Sequence, residues 1–521
     1  MTQPVSDEEQ GLDSRPELRP APLRGWTAVW SVVSVLGLGL VAIVGTRTFP
    51  PLYVGVVLGG LGALVLMARW LVRGYVWLAI FVLVVMFIPI RRYALPVPLP
   101  IALEPYRIVL VVLIVGVLGA LVLHPRFQYR PLKFGWAWGL FAFTMLISIT
   151  TNSTSLIENG QAEMGVAALV NLLLLFSVFF LVRQLLDGPG RVERLLVLLV
   201  WCGVFVAFVA VVERFTHVNY FWRLGDILPL EVINEYSQGG RAGGARAFGS
   251  AQHPIALATL FVLLLPVAAY LAKHARRPYN EVTRFALYSG AFLVLLVGVS
   301  SAVSRTSVVA MAAGFLLILL VRPYLAIALG LLAMPLLGVA YAVQPKLIDD
   351  LLFSFLDINS LIASQYSSPG SAGAGRLADL EPAMEAFRQD PFFGVGFGSR
   401  VVVGPEANAF ILDNQYLGTM LDAGVIGVFG ILVMYLVPVW MLTRLSLRLD
   451  VSRQHRDLAL ALSCSLVTYA AASYLFDAFN FIQAFYVYSM LAAVGAWLLS
   501  QYGRQASMPE SSALPAGHQP A

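Results

Sequence analysis

Apolar runs of about twenty residues, the length a helix needs to cross the hydrocarbon of a bilayer, recur along nearly the whole chain. No other feature constrains the fold as strongly. Inside hydrocarbon every backbone N–H and C=O must find an internal partner, which leaves helices and closed barrels as the only spanning structures. These runs are continuous and lack the alternation of a barrel strand, so helices are expected. The expected spans fall near 26–45, 52–69, 75–90, 106–123, 135–150, 164–183, 193–213, 254–273, 285–301, 305–321, 324–343, 415–440, 458–475 and 484–500. Several are short or run into a neighbour, so the fold class is an all-α polytopic membrane bundle of about 12–14 transmembrane helices.

Composition agrees. Of 521 residues 59% are apolar and 12% charged, far from the balance of a soluble domain. The net charge of +5 has a specific origin. With the first tail in the cytoplasm, "HPRFQYRPLK", "KHARRPYNEVTR" and "RLSLRLDVSRQHR" all fall on the inner side, as the positive-inside bias requires. The excess charge therefore gives no reason to invoke nucleic acid, and no basic and aromatic recognition motif is present. Residues 1–24 are polar and proline-rich, without the basic start and cleavage site of a signal peptide. They and residues 502–521 are expected to be disordered cytoplasmic tails around an embedded domain, 25–501. Cys202 and Cys464 lie inside apolar spans and are expected to be packing residues.

Two regions interrupt the rhythm of span and short loop, 214–253 and 344–412, and the same orientation puts both outside the cytoplasm. Long ordered loops usually carry function. The second contains two amphipathic stretches, "PKLIDDLLFSFLDINSLI" and "GRLADLEPAMEAFRQ", suited to lie on the membrane face as a lid. "ASQYSSPGSAGAGR" between them is flexible by composition. "GVGFGSR", 394–400, superficially resembles a dinucleotide fingerprint, but it follows no parallel strand and lies away from nucleotides, so that reading is rejected.

The informative charges are arginines. "LLVGVSSAVSRTSVVAMAAG" sets Arg305 between two apolar spans with almost no loop to carry it, and a charge there calls for a partner, a cavity or a snorkelling position. Arg214, Arg223, Arg241 and Arg246 in the first loop, and Arg376, Arg388 and Arg400 in the second, lie on the same side against the positive-inside bias. Guanidinium forks bind phosphate bidentately and stay charged, which suits a lipid-linked diphosphate head group. Loop salt bridges or contact with anionic lipid are the bland alternatives. "GGRAGGARAFGSAQHPIALATLF", 239–261, adds glycines and His253-Pro254 at the mouth of the next span, a plausible anion cradle.

Glycosyl transfer from a diphosphate also needs a group to accept the acceptor hydroxyl's proton. Asp413, His253, Glu213, Glu381, Asp422 and Asp477 are the candidates, all near the outer face. Asp413 is equally suited to cap the helix beginning near Asn414. On one regular helix Asp413 and Asp422, nine residues apart, face opposite sides, which assigns Asp422 a structural role. No metal-ligand spacing and no Ser-His-Asp arrangement is legible, so metal-independent chemistry without a cofactor is expected.

Three separated features, "RAFGSAQHPIALATLF", "SAVSRTSVVAMAAG" and "GRLADLEPAMEAFRQDPFFGVGFGS" leading to "LDNQYLGTMLDAGVIG", together resemble the O-antigen ligase and O-antigen polymerase family of bacterial membrane glycosyltransferases. The resemblance covers roughly residues 165–445. It implies a GT-C-like helical bundle whose long outer loop covers a site for an undecaprenyl diphosphate-linked oligosaccharide, with inverting transfer to a glycan or lipid acceptor at the outer leaflet. It also implies that Arg246 and Arg305, with Arg376 a further candidate, hold the diphosphate, and that Asp413 and Asn414 occupy the catalytic motif. In that motif the family usually carries His-Asn, whereas this chain has Asp413-Asn414. Free Asp has a pKa of about 3.9 and is the weaker base unless burial raises it. The departure favours a polymerase over a ligase. The implied setting is the bacterial inner membrane, with both termini cytoplasmic and a flippase or chain-length regulator as candidate protein partners.

Two other classes fit part of the pattern. A small-solute or bicarbonate-type transporter also needs many spans and intramembrane charge, but it should carry charged or broken-helix sites near the midplane. A non-catalytic scaffold of an export complex would keep the spans and not need the arginines.

Overall fold

The computed structural model describes residues 74–96, 102–123, 127–236, 240–241, 244–353, 359, 380–400 and 412–502. The first two expected spans, residues 1–24 and 503–521, Arg376, and the glycine- and serine-rich part of the second loop lie outside the described residues. Each of the other twelve expected spans coincides with a helix. They are α1 (Gly74–Phe87), α2 (Pro105–Leu123), α3 (Gly135–Thr151), α5 (Ala162–Leu185), α6 (Pro189–Thr216), α7 (Pro254–His274), α8 (Glu281–Ser301), α9 (Arg305–Val321), α10 (Pro323–Val343), α13 (Gln415–Leu447), α14 (Arg453–Ala472) and α15 (Ile482–Tyr502). Three shorter helices join them: α4 (Ser153–Glu158), α11 (Pro345–Leu351) and α12 (Leu380–Gln389). Among the described residues eight helices are long and apolar enough to cross a membrane, and α1, α3 and α9 are shorter apolar helices. The chain is an all-α, multi-pass membrane protein.

Contacts divide the chain into two units, Met1–Val72 with Val115–Tyr129, and Arg73–Ile114 with Arg130–Ala521. The second holds every element discussed below. Its centre is α15 and α7, of whose apolar windows 94% and 83% are buried, whereas α10 buries 6% and presents its side chains outward. An aromatic layer fills the space between α3, α5, α13, α14 and α15. Trp138 stacks on Phe179 at 4.6 Å, Tyr469 stacks on Tyr488 at 4.7 Å, and Tyr435 meets Tyr488 edge-on at 5.7 Å. Rings of this size bury large apolar areas with few torsions to fix, so they hold helices in register where water is absent to drive packing.

Helix α13 is not continuous. Gly424 has φ 63° and ψ −158°, which interrupts the helix in its third turn. A break exposes carbonyls before it and N–H groups after it, a cost that must be met where water is scarce. The segment "PFFGVG" meets it. Val395 and Gly396 donate to the carbonyls of Leu421 and Asp422, while Val425 and Ile426 donate to the carbonyls of Pro391 and Phe392. The fit depends on two glycines in the left-handed region. A Cβ on Gly394 would stand 2.4 Å from the Leu421 oxygen, and one on Gly424 would stand 2.3 Å from the Phe392 carbonyl carbon. Ser148 of α3 completes the joint, donating to the Asp422 carbonyl at 2.6 Å and accepting from Phe397 N.

Candidate active site

The helix ends next to the two long loops carry the polar side chains that the sequence singles out. Their scaffold starts from Glu213, at the end of α6, which is fully buried. Its carboxylate accepts from Phe248 N at 3.0 Å, Gly249 N at 2.8 Å and Asn219 Nδ2 at 3.1 Å. Arg214 Nη1 donates to the Ala245 carbonyl at 3.1 Å. The end of α6 thus fixes the path of 245–249. The oxygens of Glu213, a candidate base by position, are engaged in shaping the loop.

The same loop carries Arg246, whose Nε donates to the Ala302 carbonyl, with Ala247 N on the Ser301 carbonyl at 3.2 Å. Three residues beyond Ala302 stands Arg305, the first residue of α9, whose Nε donates to the Asp350 carbonyl at 3.3 Å. The turn at 301–305 therefore holds both arginines expected to grip a diphosphate. Helix α11 packs Leu347 and Leu351 on Val303 in that turn. The beginning of the outer loop's first amphipathic stretch, 345–351, is docked on this turn by these contacts.

His253 precedes Pro254 and caps α7, its Nδ1 accepting from Ile255 N at 3.2 Å. Its ring lies 6.0 Å from Phe248 and 5.7 Å from Phe481. Arg241 lies on the short strand β1 (Gly240–Arg241), paired with β2 (Gly244–Ala245).

At α13 the cap is Asn414, one residue later than the sequence suggests. Its side chain accepts from Tyr416 N and Leu417 N at 3.0 and 3.1 Å. The reason is tertiary: Gln415 N is taken by the Ser473 and Phe476 carbonyls, which fixes where the helix can begin. Asp413 stands exposed just outside the helix, so helical spacing does not relate it to Asp422. Helix α12 covers this region by packing Ala383 on Leu412, Leu417 and Leu421, and Glu381 sits exposed in its first turn.

Asp422 pairs with Arg400 at 3.4 Å, from the segment that fills the break in α13. The glycine-rich motif thus delivers an arginine to a carboxylate instead of cradling a nucleotide. Nearby, the 473–481 connection between α14 and α15 carries Asp477, half-buried, which accepts from Asn480 Nδ2. Asn480 Oδ1 in turn accepts from Arg91 Nη2 at 3.0 Å, and Arg91 N donates to buried Glu104 at 2.6 Å. Burial raises the Asp477 carboxyl above the usual range of aspartates, opposed by Asn480 and by the positive charges of Arg91 and Arg400. Just beyond it, the first residues of α15 dock against the Arg246 loop, with Ile482 N on Gln252 Oε1 at 3.1 Å and Gln483 Nε2 on Ser250 Oγ at 3.0 Å. Arg91 and Asn480 were not singled out from sequence. Neither carries a motif, and each acquires meaning only from the contacts between distant segments.

The described bundle and its polar loop end define a multi-pass membrane protein with a charged site at the ends of its helices. Residues 290–432 match the Wzy_C family model, described as O-antigen ligase, the family that the motifs resemble. The match contains Arg305, Arg400, Asp413, Asn414 and Asp422. Arg246, His253 and Asp477 lie outside it. No curated protein matches the chain. The description of that model connects the matched stretch with O-antigen ligation, a step of cell-surface polysaccharide synthesis.

Proposed function

We propose that the chain transfers a glycan from an undecaprenyl diphosphate-linked donor to a sugar hydroxyl of the acceptor, at the extracytoplasmic face of a bacterial inner membrane. Both termini are then cytoplasmic. The observation that carries the reading is the meeting of Arg246 and Arg305 on one turn, since two guanidinium groups from separate elements can neutralise a leaving diphosphate. Asp413, exposed just before α13, meets the incoming acceptor, and Asn414 holds the start of that helix. Polymerisation is favoured over ligation because Asp413 stands where the family usually carries His. Transfer proceeds with inversion and without a metal, and a flippase or chain-length regulator works alongside.

The break in α13 is the feature that would favour transport, because discontinuous helices build ion and solute sites. Its exposed main-chain groups are instead bonded to 391–396, which supports glycosyl transfer over transport. Arg305→Ala tests the proposal. Polymer formation in cells should fall about a hundredfold or more while the protein stays in the membrane, and Arg305→Lys should not restore it, because an ammonium cannot reproduce the fork. Unchanged polymer length and yield would overturn the proposal.

A further inference from the structure

Asp413 is exposed at the mouth of the site, but a second carboxylate sits in a more ordered setting. Asp477 lies in the 473–481 connection, gripped by Asn480, which is itself held by Arg91. Arg91 is fixed in the left-handed region at φ 61°, with its main-chain N–H on Glu104. Such a chain, from carboxylate to amide to arginine to a buried acid, sets the direction of the first group, as an orienting partner does for a base. Asp477 is half-buried and so reachable. Four residues on, Phe481 touches His253 in the loop that carries Arg246.

We infer that Asp477 receives the acceptor hydroxyl's proton, with Asn480 and Arg91 as positioning residues. The inference rests on the glycosyl-transfer reading of the site. As the hydroxyl oxygen bonds to the anomeric carbon, its proton passes to the Asp477 carboxylate. The bond from the anomeric carbon to the phosphate oxygen breaks, and its electron pair leaves with the diphosphate, held by Arg246 and Arg305. The proton is then released to water. Burial gives Asp477 a stronger affinity for that proton than a free aspartate has. The charged and titratable groups around it are Arg91 after α1, Arg400 before α13, Asp422 in α13 and Tyr469 in α14.

The test uses purified full-length protein in nanodiscs, with lipid diphosphate-linked oligosaccharide extracted from cells lacking the protein as both donor and acceptor. Asp477→Asn should slow transfer about a hundredfold or more and leave retention of the donor on immobilised protein unchanged, whereas Arg305→Ala loses retention. Asn480→Ala removes an N–H that favours the ionised carboxylate, so the rising limb of the pH-rate profile should move to higher pH. Transfer by Asp477→Asn at the unaltered rate overturns the inference and leaves the glycosyl-transfer reading intact. So does an unmoved limb in Asn480→Ala, which decides the matter if Asp477→Asn fails to elute as a folded protein. If the unaltered protein transfers nothing from an intact donor, both readings fall.

Discussion

Asp457 and Glu213 are both buried or nearly buried carboxylates at helix ends, and they stabilise opposite ends of the bundle in different ways. Asp457, at the start of α14, receives Lys273 Nζ and His274 Nε2 at 2.8 Å each, together with Arg322 from the junction of α9 and α10. It ties three segments through side-chain charge. Glu213 accepts from two main-chain N–H groups and an asparagine amide, and so dictates the course of a loop. An ionic staple tolerates small shifts of its long, flexible partners. A carboxylate bonded to the backbone specifies positions to within a hydrogen bond. The end that carries the proposed chemistry is the one built the second way, as positioning of diphosphate and acceptor demands.

Substitutions can break this contrast. The largest effect is expected for Glu213→Ala, which strands two buried N–H groups and Asn219 at a cost of about 3–5 kcal/mol. Its thermal midpoint in detergent should fall, and polymer synthesis per molecule of folded protein should fall with it, because the Arg246 loop loses its anchor. Asp457→Asn removes the counter-charge of Lys273 and Arg322 and the partner of His274, and should cost about 3 kcal/mol. Here the midpoint should drop while the activity of the surviving folded protein stays unchanged, and a matching loss of activity would erase the distinction between the two ends. Lys273→Ala is the mildest. Its side chain is 48% exposed, so the loss should be below about 1 kcal/mol and should shrink further in high salt.

Much of the architecture was legible because crossing hydrocarbon imposes a length and a composition, and twelve helices fell where continuous apolar runs predict them. The site was legible only in pieces. Arg246 and Arg305 stand out as charges beside apolar spans, yet nothing local says that one turn holds both. Asp413 and Asn414 are equally good caps by residue type, and the bonds of Gln415 N to Ser473 and Phe476 decide between them. Glu213 looks available in sequence because its partners, Phe248 and Gly249, lie more than thirty residues away. The pairing of Arg400 with Asp422 was hidden for the same reason. A glycine-rich stretch announces unusual backbone, but not which distant helix it completes.

That last feature bears on how relatives of this protein could exchange parts. The segment 391–396 supplies four main-chain hydrogen bonds that α13 cannot make for itself, so it is inherited with the helix even though more than fifteen residues separate them. A chimera that swaps the outer loop with its second junction before Pro391 keeps the segment with its helix. One that cuts after Arg400 leaves the break in α13 to a foreign segment, and the graft would fail in the lipid before it could be judged as a loop.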